Sequence, residues 1–183
     1  MYKECVSKHA IARQREIEQG LLKYMTYKPY ENITVIDLCQ QLSIPRKAFY
    51  RYFSNKDGAL YALIDHTMLE LLDMYLKNKS RYADNQEIMT SFFNFWLERK
   101  SLLNALDSNN LSGVLLQRAI SFTMNNDDVV KLIAPPQETE RAKKYITIFL
   151  ISGIFSLVIQ WHHNHFDKSP RQMAKLAVDL LPQ

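Results

Sequence analysis

Apolar residues recur along most of this chain at the spacing of one face of an α-helix. Between residues 8 and 25, Ala10, Ile17, Leu21 and Tyr24 follow one another at steps of seven, four and three, which predicts an amphipathic helix. Similar patterns and capping residues predict helices over residues 34–42, 45–53, 86–99, 111–125, 138–165 and 169–181, a long helix beginning at 54–57, and a short helix or turn over 101–108. Residues 77–85 and 125–128 are polar and predict breaks. The alternation typical of strands is nearly absent, so the predicted fold class is all-α.

Two short helices separated by a tight turn follow the first helix. Thr34 is followed three residues later by Asp37, a capping-box pattern that marks a helix start. Leu38 and Leu42 are four residues apart and give this helix one apolar face. Ser43 then breaks the pattern. This arrangement is typical of the first half of a helix-turn-helix.

The second short helix begins at Pro45. Proline suits the first turn of a helix, because its missing N–H would have no partner there. The spacing places Arg46, Lys47, Tyr50 and Arg51 on the outside, and Ala48, Phe49 and Phe53 toward a core. Such a helix is too short and too basic to be an ordinary core helix. In a helix-turn-helix, the second helix reads the DNA major groove with its first residues.

The distribution of charge points to the same part of the chain. The 183 residues carry a net charge of +4. Up to Lys56 there are ten Lys and Arg against five Asp and Glu, whereas residues 57–183 carry thirteen against fourteen. A solvated lysine-rich surface would give the same surplus, but its coincidence with the short basic helix favours a face that binds phosphates.

Composition narrows the class of protein. With 47% hydrophobic residues the chain is expected to fold. Cys5 and Cys39 lie in different settings without metal-ligand spacing, and the chain opens without an apolar signal stretch, so a reducing cytoplasm is expected. The sequence has four glycines and none of the phosphate-cradling loops, nucleophile elbows or paired acids of enzymes, so it predicts no enzyme and no cofactor.

The segment from Tyr145 to Trp161 is seventeen residues long and holds no charge. Its length is at the lower edge of a membrane span, but Ser152, Gly153 and Ser156 interrupt it and no second such run exists. We interpret it as a helix buried on all sides in a soluble assembly, with no membrane partner. Small side chains allow close approach of helices. This helix and the 170–181 helix are therefore predicted to pair with their symmetry mates in a four-helix homodimer interface.

The chain continues from the second short helix through Tyr50-Arg51-Tyr52-Phe53-Ser54-Asn55-Lys56-Asp57 to Leu60. This run is similar to the signature Tyr-x-His-Phe-x-x-Lys-Glu-x-Leu, and with it residues 15–64 resemble the TetR family of bacterial transcriptional regulators. Tyr52 stands where His is usual and Ser43 where the turn usually has Gly, although tyrosine can still donate to a phosphate and serine can cap a helix. Residues 153–181 also resemble the closing helices of the family.

This resemblance implies an all-α homodimer that binds a double-stranded DNA operator. Each subunit would have a three-helix DNA-binding domain, residues 1–54, and a larger helical domain, residues 55–183. The larger domain would dimerise and hold a small-molecule effector. Most members of the family repress transcription and a few activate it, so we expect a repressor.

Candidate DNA-binding residues come from the helix-turn-helix pattern and the family signature. Arg46 and Lys47 are candidates for base contacts, because arginine can grip guanine O6 and N7 with two hydrogen bonds; contacts to phosphates alone are the other possibility. The signature implies DNA-backbone contacts from Tyr50, Tyr52 and Lys56, the last in a helix first turn that favours phosphate. Thr34 is a candidate for phosphate contact and equally for a purely structural cap. The full set is Thr34, Pro45, Arg46, Lys47, Ala48, Tyr50, Tyr52 and Lys56.

Aromatic residues at helical spacing form a second candidate site. Phe92 and Trp96 are four residues apart and share one helix face. An apolar pocket for a small, mostly neutral effector would be lined by Met89, Phe92, Phe93, Trp96, Phe122 and Phe149. Plain hydrophobic core would show the same spacing.

Two further interpretations concern the carboxy-terminal half. His162, His163 and His165 are accompanied only by Asp167, and histidines at a helix C-terminus commonly interact with the helix dipole, so no metal site is predicted. The alternative function is a helical adaptor whose carboxy-terminal domain binds a protein partner rather than a metabolite.

Overall fold

The computed structural model describes residues 1–133 and 137–180. Regular structure in this part of the chain consists of ten α-helices and one 3-10 turn: α1 (Lys8–Met25), the 3-10 turn (Tyr30–Asn32), α2 (Val35–Gln41), α3 (Arg46–Tyr52), α4 (Lys56–Asn78), α5 (Asn85–Glu98), α6 (Lys100–Asp107), α7 (Ser112–Met124), α8 (Asp127–Ile133), α9 (Glu140–His163) and α10 (Pro170–Leu180). The predicted all-α class is confirmed. The predicted end of the last helix, Leu181, lies outside the described residues.

Contacts divide the chain into two compact units. The amino-terminal unit comprises Met1–Thr67 and Asn104–Leu111, and the carboxy-terminal unit comprises Met68–Leu103 and Ser112–Gln183. The division falls inside α4 and α6, so each of these helices contributes residues to both units. The predicted domain boundary between residues 54 and 55 stays a prediction.

The core of the amino-terminal unit is built from fully buried side chains of its first four helices. These are Ile17 and Leu21 on α1, Leu38 on α2, Phe49 on α3, and Leu60 and Ile64 on α4. Gly20 is where α1 approaches Leu42 most closely, since a Cβ added there would lie 2.7 Å from Leu42 Cδ2. The absence of a side chain at residue 20 therefore lets α1 pack against the end of α2.

Local hydrogen bonds fix the start of α2 and the turn that follows it. The predicted cap is present: Thr34 Oγ1 accepts the N–H of Asp37 at 3.1 Å, and Asp37 Oδ2 accepts the N–H of Thr34 at 2.8 Å. The turn between α2 and α3 passes through Ser43, whose φ of 52° is left-handed. Glycine adopts this conformation at lower cost than serine, which is consistent with the glycine usual at this position in the family.

Two local predictions were wrong in detail, and a third, the start of the long helix, is made more precise. Pro45 is the N-cap of α3, with an extended ψ of 143°, rather than its first helical residue. Helix α4, predicted to begin within residues 54–57, starts at Lys56 and is capped by Asn55, whose Oδ1 accepts the N–H of Gly58 at 2.8 Å. The polar segment 125–128 contains the start of α8, because Asn126 accepts the N–H of Val129 at 3.3 Å and caps this short helix.

The carboxy-terminal unit is built from two helix pairs. Helix α5 packs against α10 and α7 packs against α9, with α8 against α7 and α9. The end of α9 is joined to the loop before α10 by Trp161, whose Nε1 donates to the Lys168 carbonyl at 2.9 Å. Gln86 near the start of α5 donates to the Arg171 carbonyl of α10 at 3.1 Å.

Helix α9 is buried on one face and exposed on the other in the single chain. Thr147, Ile151, Phe155, Val158 and Trp161 are buried, whereas Tyr145, Phe149, Gly153 and Ser156 are exposed. Among the described helices it is the one that is long and apolar enough to cross a membrane, with a mean hydropathy of 1.7 over 18 residues. This criterion rests on length and composition alone. The expectation of burial on all sides is met only if a partner covers the exposed face.

Candidate DNA-binding surface and aromatic cluster

Helix α3 turns its basic side chains outward. The exposed side chains are Arg46, Lys47, Tyr50 and Arg51. Phe49 is fully buried on the opposite face, and its ring centroid lies 5.4 Å from that of Phe53 and 5.5 Å from that of Tyr50. These aromatic contacts anchor a helix of only seven residues in the orientation that exposes its cations.

The cations of α3 are not neutralised within the described part of the chain, where no salt bridge includes Arg46, Lys47 or Arg51. Three like charges on one short helix repel each other, so they favour an external anion. Pro45 is exposed and Ala48 half-buried at the start of the helix. Their small side chains leave the backbone there accessible, as close approach to a DNA groove requires.

Thr34 is exposed at the start of α2, where it serves as the helix cap. Its capping role uses the hydroxyl oxygen as an acceptor, so the hydroxyl proton is still available for a phosphate. The hydrogen bond from Lys28 Nζ to Asp37, at 2.8 Å, and the bonds from Thr34 lower the pKa of the Asp37 carboxyl to about 2. Asp37 is therefore held as an anion that strengthens the cap rather than one that attracts a ligand.

Two of the predicted DNA-contacting side chains face inward. Tyr52 is only 6% exposed and its ring packs against that of Phe53. Lys56 is half-buried, and its ammonium is directed into the amino-terminal unit. Their packing could not be inferred from the signature alone. The predicted phosphate contacts of Tyr52 and Lys56 stay predictions, and this conformation does not favour them.

Lys56 donates to three backbone carbonyls. Its Nζ lies 2.6 Å from the oxygen of Tyr30, 3.1 Å from that of Glu31 and 2.9 Å from that of Ile33. A lysine ammonium has three N–H groups, so each can be matched to one carbonyl. The ammonium also lies 4.5 Å from the centroid of the Tyr30 ring, a distance that allows a cation–π contact. Lys56 thus joins the start of α4 to the 3-10 turn between α1 and α2.

Tyr30 provides further bonds at the same place. Its hydroxyl donates to Asp57 Oδ1, and burial, followed by this bond to an anion, raises the pKa of the Tyr30 hydroxyl well above its usual range. Its backbone N–H donates to Asn109 Oδ1, while Asn109 Nδ2 donates to the carbonyls of Met25, at 3.3 Å, and Ala105, at 2.7 Å. Sequence spacing gave no signal for the role of Asn109, because Tyr30 and Met25 lie 79 and 84 residues away from it along the chain.

The aromatic residues predicted on α5 form a tightly packed cluster. Phe93 and Trp96 are fully buried, and Phe92 is half-buried. Phe155 lies edge-on to both Phe92, at 5.9 Å between centroids, and Trp96, at 5.5 Å. Trp161 contacts Phe93 at 5.5 Å. Phe155 and Trp161 were missed because they lie within the uniformly apolar segment, where periodicity does not show which residues face inward.

The other predicted pocket residues are less closely grouped. Met89 and Phe122 are half-buried on α5 and α7. Phe149 is 73% exposed on the outer face of α9, so this conformation does not bring it to the cluster. An open groove between the starts of α5 and α10 is polar, lined by Asp84, Gln86, Ser169, Arg171, Gln172 and Lys175, and is not part of the aromatic cluster.

Two buried polar atoms in the carboxy-terminal unit have no hydrogen-bond partner among the described residues. They are Nε1 of Trp96 and Oγ1 of Thr147, and both side chains belong to fully buried residues. An unsatisfied buried donor costs about 1–3 kcal/mol. Buried polar groups without a partner are uncommon in folded proteins.

Comparison with known proteins finds similarity to a family of transcriptional regulators. A TetR C-terminal family model, described as "Transcriptional regulator C-terminal region", matches residues 83–183. Over 107 residues the chain is 23% identical to an HTH-type transcriptional regulator of Staphylococcus aureus (strain bovine RF122 / ET3-1), a match that covers 56% of this chain and 58% of that protein. The chain therefore spans less than two thirds of the length of this curated relative.

Solved regulators share the fold. The dihydroxyacetone kinase operon activator DhaS aligns with a TM-score of 0.59 at 18% identity, over 93% of this chain and 94% of its own. FadR of Thermus thermophilus, a TetR-family transcriptional repressor in complex with lauroyl-CoA, aligns with a TM-score of 0.54 at 11% identity, over 93% and 96%. At these identities the similarity is evidence for the fold alone.

The three bonds of Lys56 predict a role in stability. Lys56→Met keeps the aliphatic stem but removes the ammonium, and should lower the free energy of unfolding of the amino-terminal unit by about 2 kcal/mol. Amide hydrogen exchange of α1 and α4 in urea measures this. Lys47→Met, which removes an exposed lysine from α3, is the matched control and should not lower stability, because it only relieves the repulsion from Arg46 and Arg51. The prediction is contradicted if Lys56→Met is as stable as the wild type. If the salt dependence of its DNA binding is also reduced by about one ion per subunit, Lys56 contacts a phosphate instead.

Proposed function

The chain belongs to the TetR family of transcriptional regulators, since the family match covers more than half of its length, and on that premise we propose that it is a cytoplasmic, homodimeric repressor that reads an operator with α3 and is released by a small apolar effector. The observation that carries the proposal is the exposed row of cations on α3, backed by the buried Phe49. The expected repressor role follows the majority of the family, and FadR of Thermus thermophilus is such a repressor.

The seven residues of α3 suit the DNA major groove. Helix-turn-helix proteins place the first residues of the second helix against base edges, and here these residues are Arg46 and Lys47. Tyr50 and Arg51 lie further along the exposed face, where they would reach phosphates. Thr34, at the start of α2, would donate its hydroxyl proton to the DNA backbone. Contacts to the bases would select the operator sequence. Contacts to the phosphates would fix the position of the protein on the duplex and make its affinity depend on salt.

Dimerisation through α9 and α10 is supported by apolar surface that the single chain leaves uncovered. On α9, Tyr145 is 63% and Phe149 73% exposed, and on α10 Leu176 is 41% and Leu180 71% exposed. Gly153 lies one turn after Phe149 on α9, with open space around the position of its missing Cβ. Covering this surface in a symmetric four-helix interface would remove large apolar side chains from water.

Effector binding is supported by the aromatic cluster and by its unsatisfied Trp96 Nε1. The rings are closed against one another, so an effector would have to separate them. It would stabilise a conformation that is rare in the free protein, and could shift the equilibrium only by its differential affinity for the two states. Because α4 contributes to both units, a shift in that helix would change the position of α3. The closed packing equally suits the alternative, a protein partner that binds the outer surface.

Arg46 tests the reading of DNA. The probe is the duplex that the wild-type protein selects from a random-sequence library, compared with a scrambled duplex. Arg46→Ala should weaken binding to the selected duplex by about 1–3 kcal/mol and relax its sequence preference, with little effect on the scrambled duplex. Arg81→Ala removes an exposed arginine from the carboxy-terminal unit and is the control. Equal affinity of Arg46→Ala and wild type for the selected duplex would show that α3 does not read it.

Phe149 tests the dimer. Phe149→Glu places a charge on the exposed face of α9 and should convert the protein to a monomer in sedimentation velocity. Leu76→Glu, which alters an exposed leucine on α4, should leave the dimer intact. A wild-type protein that sediments as a monomer at micromolar concentration contradicts the interface outright.

Trp96 tests the effector. A panel of neutral probes, dodecanol and naphthalene among them, is titrated into the complex of the wild-type protein with its selected duplex, alongside lauroyl-CoA. At least one neutral probe should change tryptophan fluorescence and dissociate the complex. Trp96→Phe should retain DNA affinity but lose this release, because the indole N–H is missing. If no probe acts on the wild type while a protein partner does, the adaptor alternative is favoured.

A further inference from the structure

The first residues of the chain form a short strap across the end of α3. Tyr2 pairs with Phe53 in an antiparallel β-bridge. The N–H of Lys3 donates to the carbonyl of Tyr52 at 2.9 Å, and the N–H of Ser54 donates to the carbonyl of Met1 at 3.0 Å. Residues Met1–Lys3 are called the strap below. The backbone of the strap thus contacts Tyr52, Phe53 and Ser54, which lie at the end of α3 and just before α4.

The side chain of Tyr2 extends from the strap to α4. Its hydroxyl donates to Asp65 Oδ2 at 2.7 Å, and Asp65 is only 4% exposed. The ring of Tyr2 lies edge-on to His66, with 5.7 Å between centroids. Tyr2 therefore supplies a hydrogen bond to a nearly buried carboxylate that belongs to the middle of α4.

Helix α1 provides a second attachment for the strap. Gln14 is 2% exposed, and its Nε2 donates to the carbonyl of Lys3 at 3.0 Å. One turn further, the fully buried Glu18 is paired with His66 Nδ1 at 2.9 Å. Buried polar side chains are costly unless they are hydrogen-bonded. The strap thus provides partners for polar groups that α1 and α4 direct into the interior.

Gly58 shows how closely the strap follows the start of α4. A Cβ added at this residue would lie 2.5 Å from the Met1 carbonyl oxygen, which is a collision with backbone. The first turn of α4 can accept the strap only because residue 58 has no side chain. This close approach is an observation separate from the hydrogen bonds, and it likewise places the backbone of the strap against the start of α4.

We propose that the strap, through Tyr2, is a positioning element for the DNA-reading helix. It joins the end of α3 to α1 by Gln14 and to α4 by Asp65. A helix of seven residues is not stable by itself, and its orientation depends on what holds its ends. Sequence-specific contacts require one fixed orientation, whereas non-specific binding depends mainly on charge. The strap is therefore needed for sequence-specific binding and not for non-specific binding. This inference rests on the proposed DNA binding.

The experiment compares Tyr2→Ala, Tyr2→Phe and Lys3→Ala with the wild type. Affinity is measured for the duplex selected by the wild type and for a scrambled duplex, over a range of salt. Tyr2→Ala should lose about tenfold in affinity for the selected duplex and keep both its affinity for the scrambled duplex and its salt dependence. In the same variant the amide of Ser54 should exchange faster with solvent. Lys3→Ala keeps the strap backbone and removes a charge, and should retain the specific affinity.

Tyr2→Phe keeps the ring and removes only the hydroxyl bonded to Asp65. It should fold normally and lose a smaller factor, about threefold, in specific affinity. The inference is overturned if Tyr2→Phe and Tyr2→Ala bind the selected duplex like the wild type although the Ser54 amide has lost its protection. It is also overturned if Lys3→Ala reproduces the loss with a reduced salt dependence, which would make the segment a direct phosphate contact. Failure of the wild type to select any duplex would instead reject the proposed function.

Discussion

The ammonium group of Lys56 is the point on which the geometry of the amino-terminal unit depends. A charge that is half removed from water needs acceptors, and the carbonyls of Tyr30, Glu31 and Ile33 supply them. Carbonyl groups at the end of a short helical turn point in a common direction and carry partial negative charge, so one cation can bond to all three. This arrangement fixes the start of α4 against the link between α1 and α2.

Asn109 extends the same network to a distant part of the sequence. Its side-chain amide bonds to the end of α1 at Met25, to the 3-10 turn at Tyr30 and to α6 at Ala105. A single asparagine can satisfy three segments because its amide carries an acceptor and two donors. Asn110, with a φ of 57°, then turns the chain away after α6. Residues 104–111 consequently belong to the amino-terminal unit, although residues 68–103 separate them from the rest of it.

Sequence patterns predicted the helices well where local interactions determine them, and poorly where distant residues do. The cap of Thr34 with Asp37 and the outward side of α3 follow from spacing within one turn of helix. The inward position of Lys56 depends on the 3-10 turn at residues 30–32, which no local pattern reveals. Similarly, Phe155 and Trp161 are indistinguishable from their neighbours in a uniformly apolar segment until α5 packs against the carboxy-terminal helices. Short helix α8 was missed because its cap, Asn126, is a residue type that also breaks helices.

The stability of α3 and its proposed binding of DNA make opposite demands on the same few residues. Arg46, Lys47 and Arg51 repel one another in the free protein, and seven residues provide too few backbone hydrogen bonds to offset this repulsion. The compensation lies on the buried side, where Phe49 packs into the core and backbone bonds secure the residues after Tyr52. A bound phosphate backbone would relieve the repulsion without changing the buried side. The outer face thus forms no salt bridge among the described residues, and its orientation is set by contacts on the buried side of the helix.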